Sequence, residues 1–324
     1  MVNIKDVAKE AGVGLGTVSR VINNSGPVKE STKNKVMEAI EKLNYKPNEV
    51  ARSFKMKQTK TMGLIVPTLW HPFFSKFAMH VEERLAQLNY KLILCNSKNQ
   101  VEKEISYITM LENNKIDGLI AITYSDEIDQ YISSTLPIVS IDRHFTNDVI
   151  YVTSDNLSGG ELAAKELLKR GSQRLAYLGS QSMIQNESKN RVEGFKKYLN
   201  GKEKNYKLLI LAEPVEDIHA NVKNFLEENN DIDGIFCIND KWAKITIKVI
   251  HDLGKSVPDD IQVIGFDGVT ASKDEELNLS TIVQPVQEMA YSAVDTIINI
   301  NEGQNVEQKY VLPVSFHEGN STKN

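Results

Sequence analysis

Between residues 62 and 266 the chain repeats one pattern: a short apolar run, then a longer segment with apolar residues at helical spacing. The runs are 62–66, 91–95, 117–122, 138–141, 175–178, 207–211, 234–238 and 262–266. The segments between them include 76–88, 102–113, 158–168, 191–199, 218–229 and 241–253. Strands joined by helical crossovers pair in parallel and carry helices on both faces of the sheet. Eight strands over this length suit two such sheets. Ligands bind these folds beyond the carboxyl ends of the strands, so two sheets facing one another make a cleft there. Several strand ends carry polar residues: Asp142-Arg143-His144 after Ile141, Asn239-Asp240 after Ile238, and Asp267-Gly268 after Phe266. Carboxylates and an amide in those places suit hydroxyl groups, but Asp and Asn after a strand equally cap the next helix. His71-Pro72-Phe73-Phe74 follow the first run and offer rings to the apolar face of a ligand ring.

The first 47 residues are different. Ile4, Val7, Ala8 and Ala11 form one helical face, Gly12-Val13-Gly14 breaks the helix, and Val18, Val21 and Ile22 form the buried side of a second short helix. The outer side of that helix shows Thr17, Ser19, Arg20 and Asn23. Two helices joined by a glycine turn, the second with a polar outer face, read as a helix-turn-helix. On shape alone an ordinary helical hairpin fits as well. Ser31 or Thr32 is placed to cap a third helix with Val36, Ala39, Ile40 and Leu43 on its apolar face. Residues 48–55, opened by Asn48, carry Val50, Ala51 and Phe54 on one face, a pattern that fits either a short helix that folds on binding or a plain linker.

Charge separates these regions. Residues 1–60 hold 12 Lys and Arg against 6 Asp and Glu, and the rest holds 26 against 37. A basic head on an acidic body predicts that the head meets a polyanion and the body does not. No run approaches membrane-span length, and MVNIKDVAKE lacks the apolar core of a signal peptide, so a cytoplasmic protein is expected. Cys95 and Cys237 sit in apolar runs and read as buried strand residues, and the six histidines show no metal-ligand spacing, so no metal or cofactor is expected. Gly12, Gly14 and Gly16 superficially suggest a nucleotide loop, but a helical segment precedes them where a strand is required. With no nucleophile–base pair in view, an enzyme is not expected.

These residues resemble the lac and gal repressor family of bacterial transcription regulators over nearly the whole chain. The resemblance is carried by IKDVAKEAGVGLGTVSRVIN, YKPNEVARSFK, HPFF at 71–74, IDGLI at 116–120, IDR at 141–143, RVEGF at 191–195, IND at 238–240, VPDDIQVIGFDG at 257–268 and LSTIVQP at 279–285. VPDDIQVIGFDG, LSTIVQP, VLPVSF and SDN at 154–156 look most like repressors of ribose and sucrose operons. The resemblance implies a small all-α helix-turn-helix head and an α/β body of two parallel-sheet subdomains of the periplasmic-binding-protein type. Its division would be 1–47 for the head, 48–61 for a hinge helix and linker, 62–155 with 285–305 for the N-terminal subdomain, and 156–284 with 306–324 for the C-terminal one. It implies a homodimer on double-stranded operator DNA, with Leu15, Thr17, Ser19, Arg20 and Asn23 in the major groove and Arg52 and Phe54 at the minor groove. It further implies a small sugar held by Phe73, Phe74, Asp142, Arg191, Asn239 and Asp267.

The chain departs from the family pattern at several places. Gly14 replaces the usual capping Ser, and Leu15 and Gly16 leave Arg20 as the main long donor for base readout. Phe54 replaces a leucine wedge. Ile218 stands where several relatives place a sugar-stacking aromatic, with Trp242 as a possible substitute. A phosphorylated sugar would draw on Arg143 and His144, although Arg143 could equally pair with a carboxylate of the body. No leucine-heptad tail follows Pro313, so a tail-mediated tetramer is not expected. Within the family the alternative is a global catabolite regulator with a phosphorylated carrier protein as corepressor. A transport binding protein is argued against by the basic head and the missing signal-peptide pattern, and an enzyme by the lack of a nucleophile–base pair or metal set.

Overall fold

The computed structural model describes residues 2–23, 25–46, 58–132, 136–145, 149–182, 184, 186–272 and 274–324. Arg52, Phe54 and the expected hinge helix 48–55 lie outside the described residues. The chain divides into two compact units, Met1–Thr59 and Lys60–Asn324.

Among its described residues the first unit holds three helices: α1 (Ile4–Glu10), α2 (Leu15–Asn23) and α3 (Glu30–Lys42). α1 starts in a capping box: the Asn3 side chain accepts from the Lys5 amide at 2.8 Å, and the Asn3 amide donates to the Asp6 carboxylate at 2.8 Å. Gly12, at φ +64°, makes the turn that the sequence predicts, because a side chain is strained there. Val7, Ala8, Ala11, Val18, Val36 and Ala39 close a small core. The cap expected at Ser31 or Thr32 is corrected. α3 begins earlier, at Glu30 after Lys29, whose carbonyl accepts from Thr32 at 2.9 Å and Lys33 at 3.0 Å. A backbone turn starts this helix, and no side chain caps it.

The second unit holds two six-stranded sheets. The first is built from β1 (Thr61–Val66), β2 (Lys91–Asn96), β3 (Gly118–Ala121), β4 (Ile138–Ile141), β5 (Ile150–Ser154) and β11 (Lys309–Leu312), in the order β11-β5-β4-β3-β1-β2, all parallel. The second is built from β6 (Leu175–Gln181), β7 (Tyr206–Ala212), β8 (Gly234–Cys237), β9 (Gln262–Asp267), β10 (Thr281–Val283) and β12 (Ser315–His317), in the order β12-β10-β9-β8-β6-β7. Only β12 in this sheet runs antiparallel to its neighbour. The first sheet is covered by α4 (Pro72–Gln87) and α10 (Val286–Asn301) on one face and by α5 (Val101–Asn113) on the other. The second packs with α6 (Asn156–Lys169), α7 (Asn190–Asn200), α8 (Ile218–Glu228) and α9 (Asp240–Asp252). β3, β4, β8 and β9 are buried along their whole length, as strands covered on both faces must be, whereas the edge strands β2 and β7 alternate with exposed positions.

The chain crosses between the sheets three times: from β5 to α6, from β10 to α10, and from β11 to β12. This corrects the expectation that 306–324 belongs wholly to the second half. Lys309–Leu312 pairs with β5 in the first sheet, and only the chain from Ser315 onward joins the second. The pairing occupies the backbone groups of β5 that would otherwise form a bare sheet edge.

Candidate functional site

The carboxyl ends of the two sheets face one another across a cavity of about 630 Å³. Its walls come from the β1–α4 loop, the ends of β3 and β4, α7, and the ends of β6, β7, β8 and β9. Phe73, Phe74, Asp142, Arg191, Asn239 and Asp267 all line it, so the structure brings the six expected ligand residues together.

Each is placed by its local chain. Pro72 stands at the start of α4, where its fixed φ suits a first helical turn, and this seats Phe73 and Phe74 beside the cavity. Their rings meet edge to face at 5.5 Å. Asp142 leaves β4 at φ +57° and Asp267 leaves β9 at φ +117°, backbone conformations that turn both residues off their strands. Asn239 caps α9, its Oδ1 accepting from the Trp242 amide at 3.0 Å. The capping role is therefore real, and it engages the Oδ1 rather than the Nδ2 of Asn239. Asp240, next along, is structural: its carboxylate accepts from the amides of Gly268 and Val269 at 2.9 and 3.1 Å and from Thr281 Oγ1 at 2.6 Å. Burial first, then the neighbouring Asp267 carboxylate, raise its pKa.

Arg191 organises the floor. It is 5% exposed; its Nε donates to Asn156 Oδ1 at 2.7 Å and its Nη1 to the Ile238 carbonyl at 2.8 Å. Its guanidinium lies 3.7 Å over the Phe266 ring, and Nη1 stands 3.6 Å from Asp267 Oδ1. Gln284 Nε2 donates to Asp267 Oδ1 at 2.7 Å, and Ser154 Oγ donates to Gln284 Oε1 at 2.7 Å, so two crossover segments hold the carboxylate from behind. Thr153 Oγ1 donates to Asp142 Oδ1 at 2.6 Å. Burial raises the pKa of both Asp142 and Asp267, with the Arg191 charge opposing it. His71 Nε2 lies 3.9 Å from Asp267 Oδ2. Burial, with Lys241 and Arg191 nearby, lowers the His71 pKa to about 4, so its ring is neutral at physiological pH.

Ile218 and Trp242 both line the cavity, Trp242 only 3% exposed. Arg143 and His144 do not line it. Arg143 is 1% exposed and donates to Asp129 Oδ1 at 2.5 Å and Thr123 Oγ1 at 2.8 Å; the structural alternative describes it. His144 is paired with Glu187 at 2.5 Å. Tyr124, Glu213, Lys241 and Gln284 line the cavity without having been singled out in the sequence. Gln284 obeys the same strand-end rule as Asp267, but β10, with 3 residues, is too short to stand out as a run.

In the head, Val18 is fully buried, which turns the opposite side of α2 outward. Leu15 is 45% exposed and Arg20 is exposed. Thr17 is half-buried. Ser19 and Asn23 bond each other: Asn23 Nδ2 donates to the Ser19 carbonyl at 2.8 Å and to its Oγ at 3.2 Å. Among the described residues no cluster of His, Cys, Asp and Glu could hold a metal, and no helix is long and apolar enough to cross a membrane.

A three-helix head joined in sequence to a two-sheet body with a polar cleft defines a class: a DNA-binding regulator with a sugar-binding domain. The chain belongs to the LacI family of bacterial regulatory proteins. Residues 3–48 match the family described as bacterial regulatory proteins, lacI family, and residues 59–319 match the family described as periplasmic binding proteins and sugar binding domain of the LacI family. It is thus a sugar-binding transcriptional repressor of this family and not an enzyme. It is 36% identical to a sucrose operon repressor of Streptococcus mutans, over 98% of both chains. It is 32% identical to a ribose operon repressor of Halalkalibacterium halodurans, over 100% of this chain and 98% of the relative. Among solved structures it is similar to the lac repressor dimer bound to operator and an anti-inducer, with a TM-score of 0.85, 25% identity, and 99% of this chain and 98% of the other covered.

Proposed function

We propose that the protein is a homodimeric cytoplasmic repressor of a carbohydrate operon of the ribose type, whose operator binding is controlled by a small sugar or sugar phosphate in the cleft. The observation that carries this reading is the convergence of Asp142, Arg191, Asn239 and Asp267 from both sheets on one cavity. Carboxylates accept from neighbouring hydroxyls, the guanidinium and amide donate, and Phe73 and Phe74 cover an apolar ring face. A sugar touching both halves prefers one spacing between them, and a ligand shifts an equilibrium only by such a preference. Moving a dimer from 1:99 to 99:1 needs roughly 5.5 kcal/mol, so each of two sites supplies under about 3 kcal/mol. One or two charge-assisted hydrogen bonds reach that figure. At the operator, Leu15, Thr17, Arg20 and the Ser19–Asn23 pair face the major groove, and Arg52 and Phe54 act at the minor groove.

A second reading is a sucrose operon repressor, favoured by the 36% identity to the Streptococcus mutans protein. Thermal-shift titration with ribose, sucrose and their phosphates separates the two, because a ligand of the native state raises its melting temperature. The sugar that does so should also release the operator in a gel shift. Operator binding that responds to no sugar but strengthens with a phosphorylated carrier protein would replace this reading with that of a global catabolite regulator.

A further inference from the structure

The charges around the cleft narrow the kind of sugar it holds. The two cationic groups that a phosphate ester would call on are both spent outside the cavity, Arg143 on Asp129 and His144 on Glu187. Inside it, Arg191 is committed to Asn156, the Ile238 carbonyl and Asp267, and its positive charge offsets a carboxylate already present. His71 is held neutral by burial and by the cations near it. Lys241 remains as a cation on the lining. Against Arg191 and Lys241 stand three carboxylates on the same lining: Asp142, Asp267 and Glu213. Glu213 follows β7, is exposed at the mouth, and is oriented by Ser180, whose Oγ donates to its Oε1 at 2.7 Å.

We propose that the cleft takes an uncharged sugar and rejects the phosphate ester of the same sugar, with Glu213 at the mouth as the residue that sets this preference. The inference rests on the reading of the cleft as a sugar site. A hydroxyl donates to a carboxylate and gains from it, whereas a phosphate ester, with a charge of about −1.5 to −2 at pH 7, meets net repulsion there. Specificity of this kind is a difference of two affinities, produced by a charge placed against the wrong ligand.

Isothermal titration of the full chain with D-ribose against D-ribose 5-phosphate, and sucrose against sucrose 6-phosphate, tests it. The uncharged member of a pair should bind at least about tenfold more tightly. Glu213→Gln should narrow that ratio by about threefold or more, whatever it does to the uncharged sugar. Added salt should narrow the ratio in the wild type and much less in Glu213→Gln, because exposed charges are screened. A phosphate ester that binds as well as its parent sugar overturns the proposal. A ratio unchanged in Glu213→Gln removes Glu213 from it. If neither member of either pair binds while other sugars do, the same comparison is made with those sugars. If no sugar binds at all, the sugar-site reading itself fails, and this inference with it.

Discussion

Asp267→Asn separates what the cleft costs the fold from what it gives to function. The substitution keeps the shape and an oxygen to accept from Gln284 at 2.7 Å, but removes a charge from a residue only 3% exposed. Burial is the largest influence on Asp267 and raises its pKa from 3.8 to about 6, against the opposing pull of Arg191. A carboxyl group whose folded pKa lies above its unfolded one holds its proton more tightly when folded. Its contribution is therefore most favourable below the unfolded value and is lost as pH rises through the folded one. At 1.36 kcal/mol per pH unit, about 3 kcal/mol is forgone by pH 7. Removing the charge also relieves Asp240, whose pKa Asp267 raises, but gives up the attraction of Arg191 at 3.6 Å. The ligand-free variant should be at least as stable as wild type at pH 7, by up to about 3 kcal/mol, or roughly 6–12 °C in melting temperature for a body of this size. Its stability should also fall less between pH 4 and 7. Sugar affinity should drop about tenfold to a hundredfold, the worth of one charged hydrogen bond to a hydroxyl, with operator binding intact. Urea unfolding at pH 5 and 7, with gel-shift release by the working sugar, reads both effects. A variant that is less stable by more than about 1 kcal/mol at pH 7, with an unchanged pH slope, would refute the burial argument. Release at the wild-type sugar concentration would take Asp267 out of the site.

Gly160→Ala should cost about 1–3 kcal/mol and weaken sugar binding without touching ligand: a Cβ there would stand 1.9 Å from the Arg191 carbonyl oxygen, so α7 must move and carry Arg191 with it; denaturation and calorimetry check this. Asp240→Ala leaves the Gly268 and Val269 amides buried without their acceptor, at about 1–3 kcal/mol each, but also removes a buried charge, so it should destabilise the body by about 1–3 kcal/mol in urea unfolding at pH 7. Arg20→Ala should cost about 1–3 kcal/mol on the operator and relax specificity at one base pair per half-site, whereas equal losses on random DNA would make Arg20 a phosphate contact.

Periodicity and composition were enough for the helices of the head, the parallel-sheet body and the basic–acidic split, because these depend on which residues must avoid water and on local turns such as Gly12. The strand-end rule also led to Asp142, Asn239 and Asp267. It could not tell Asp142 from Arg143, or Asn239 from Asp240. Neighbouring residues at a strand end point to different sides, and a turned backbone such as φ +57° at Asp142 decides which side is the cleft. Tertiary structure alone recruited Gln284, which lies on a strand of 3 residues and reaches Asp267 because the chain crosses between the sheets there. It also placed Lys309–Leu312 in the first sheet, since an edge strand's partner is chosen by which backbone groups remain unpaired, and that is settled only when the two ends of a long chain meet.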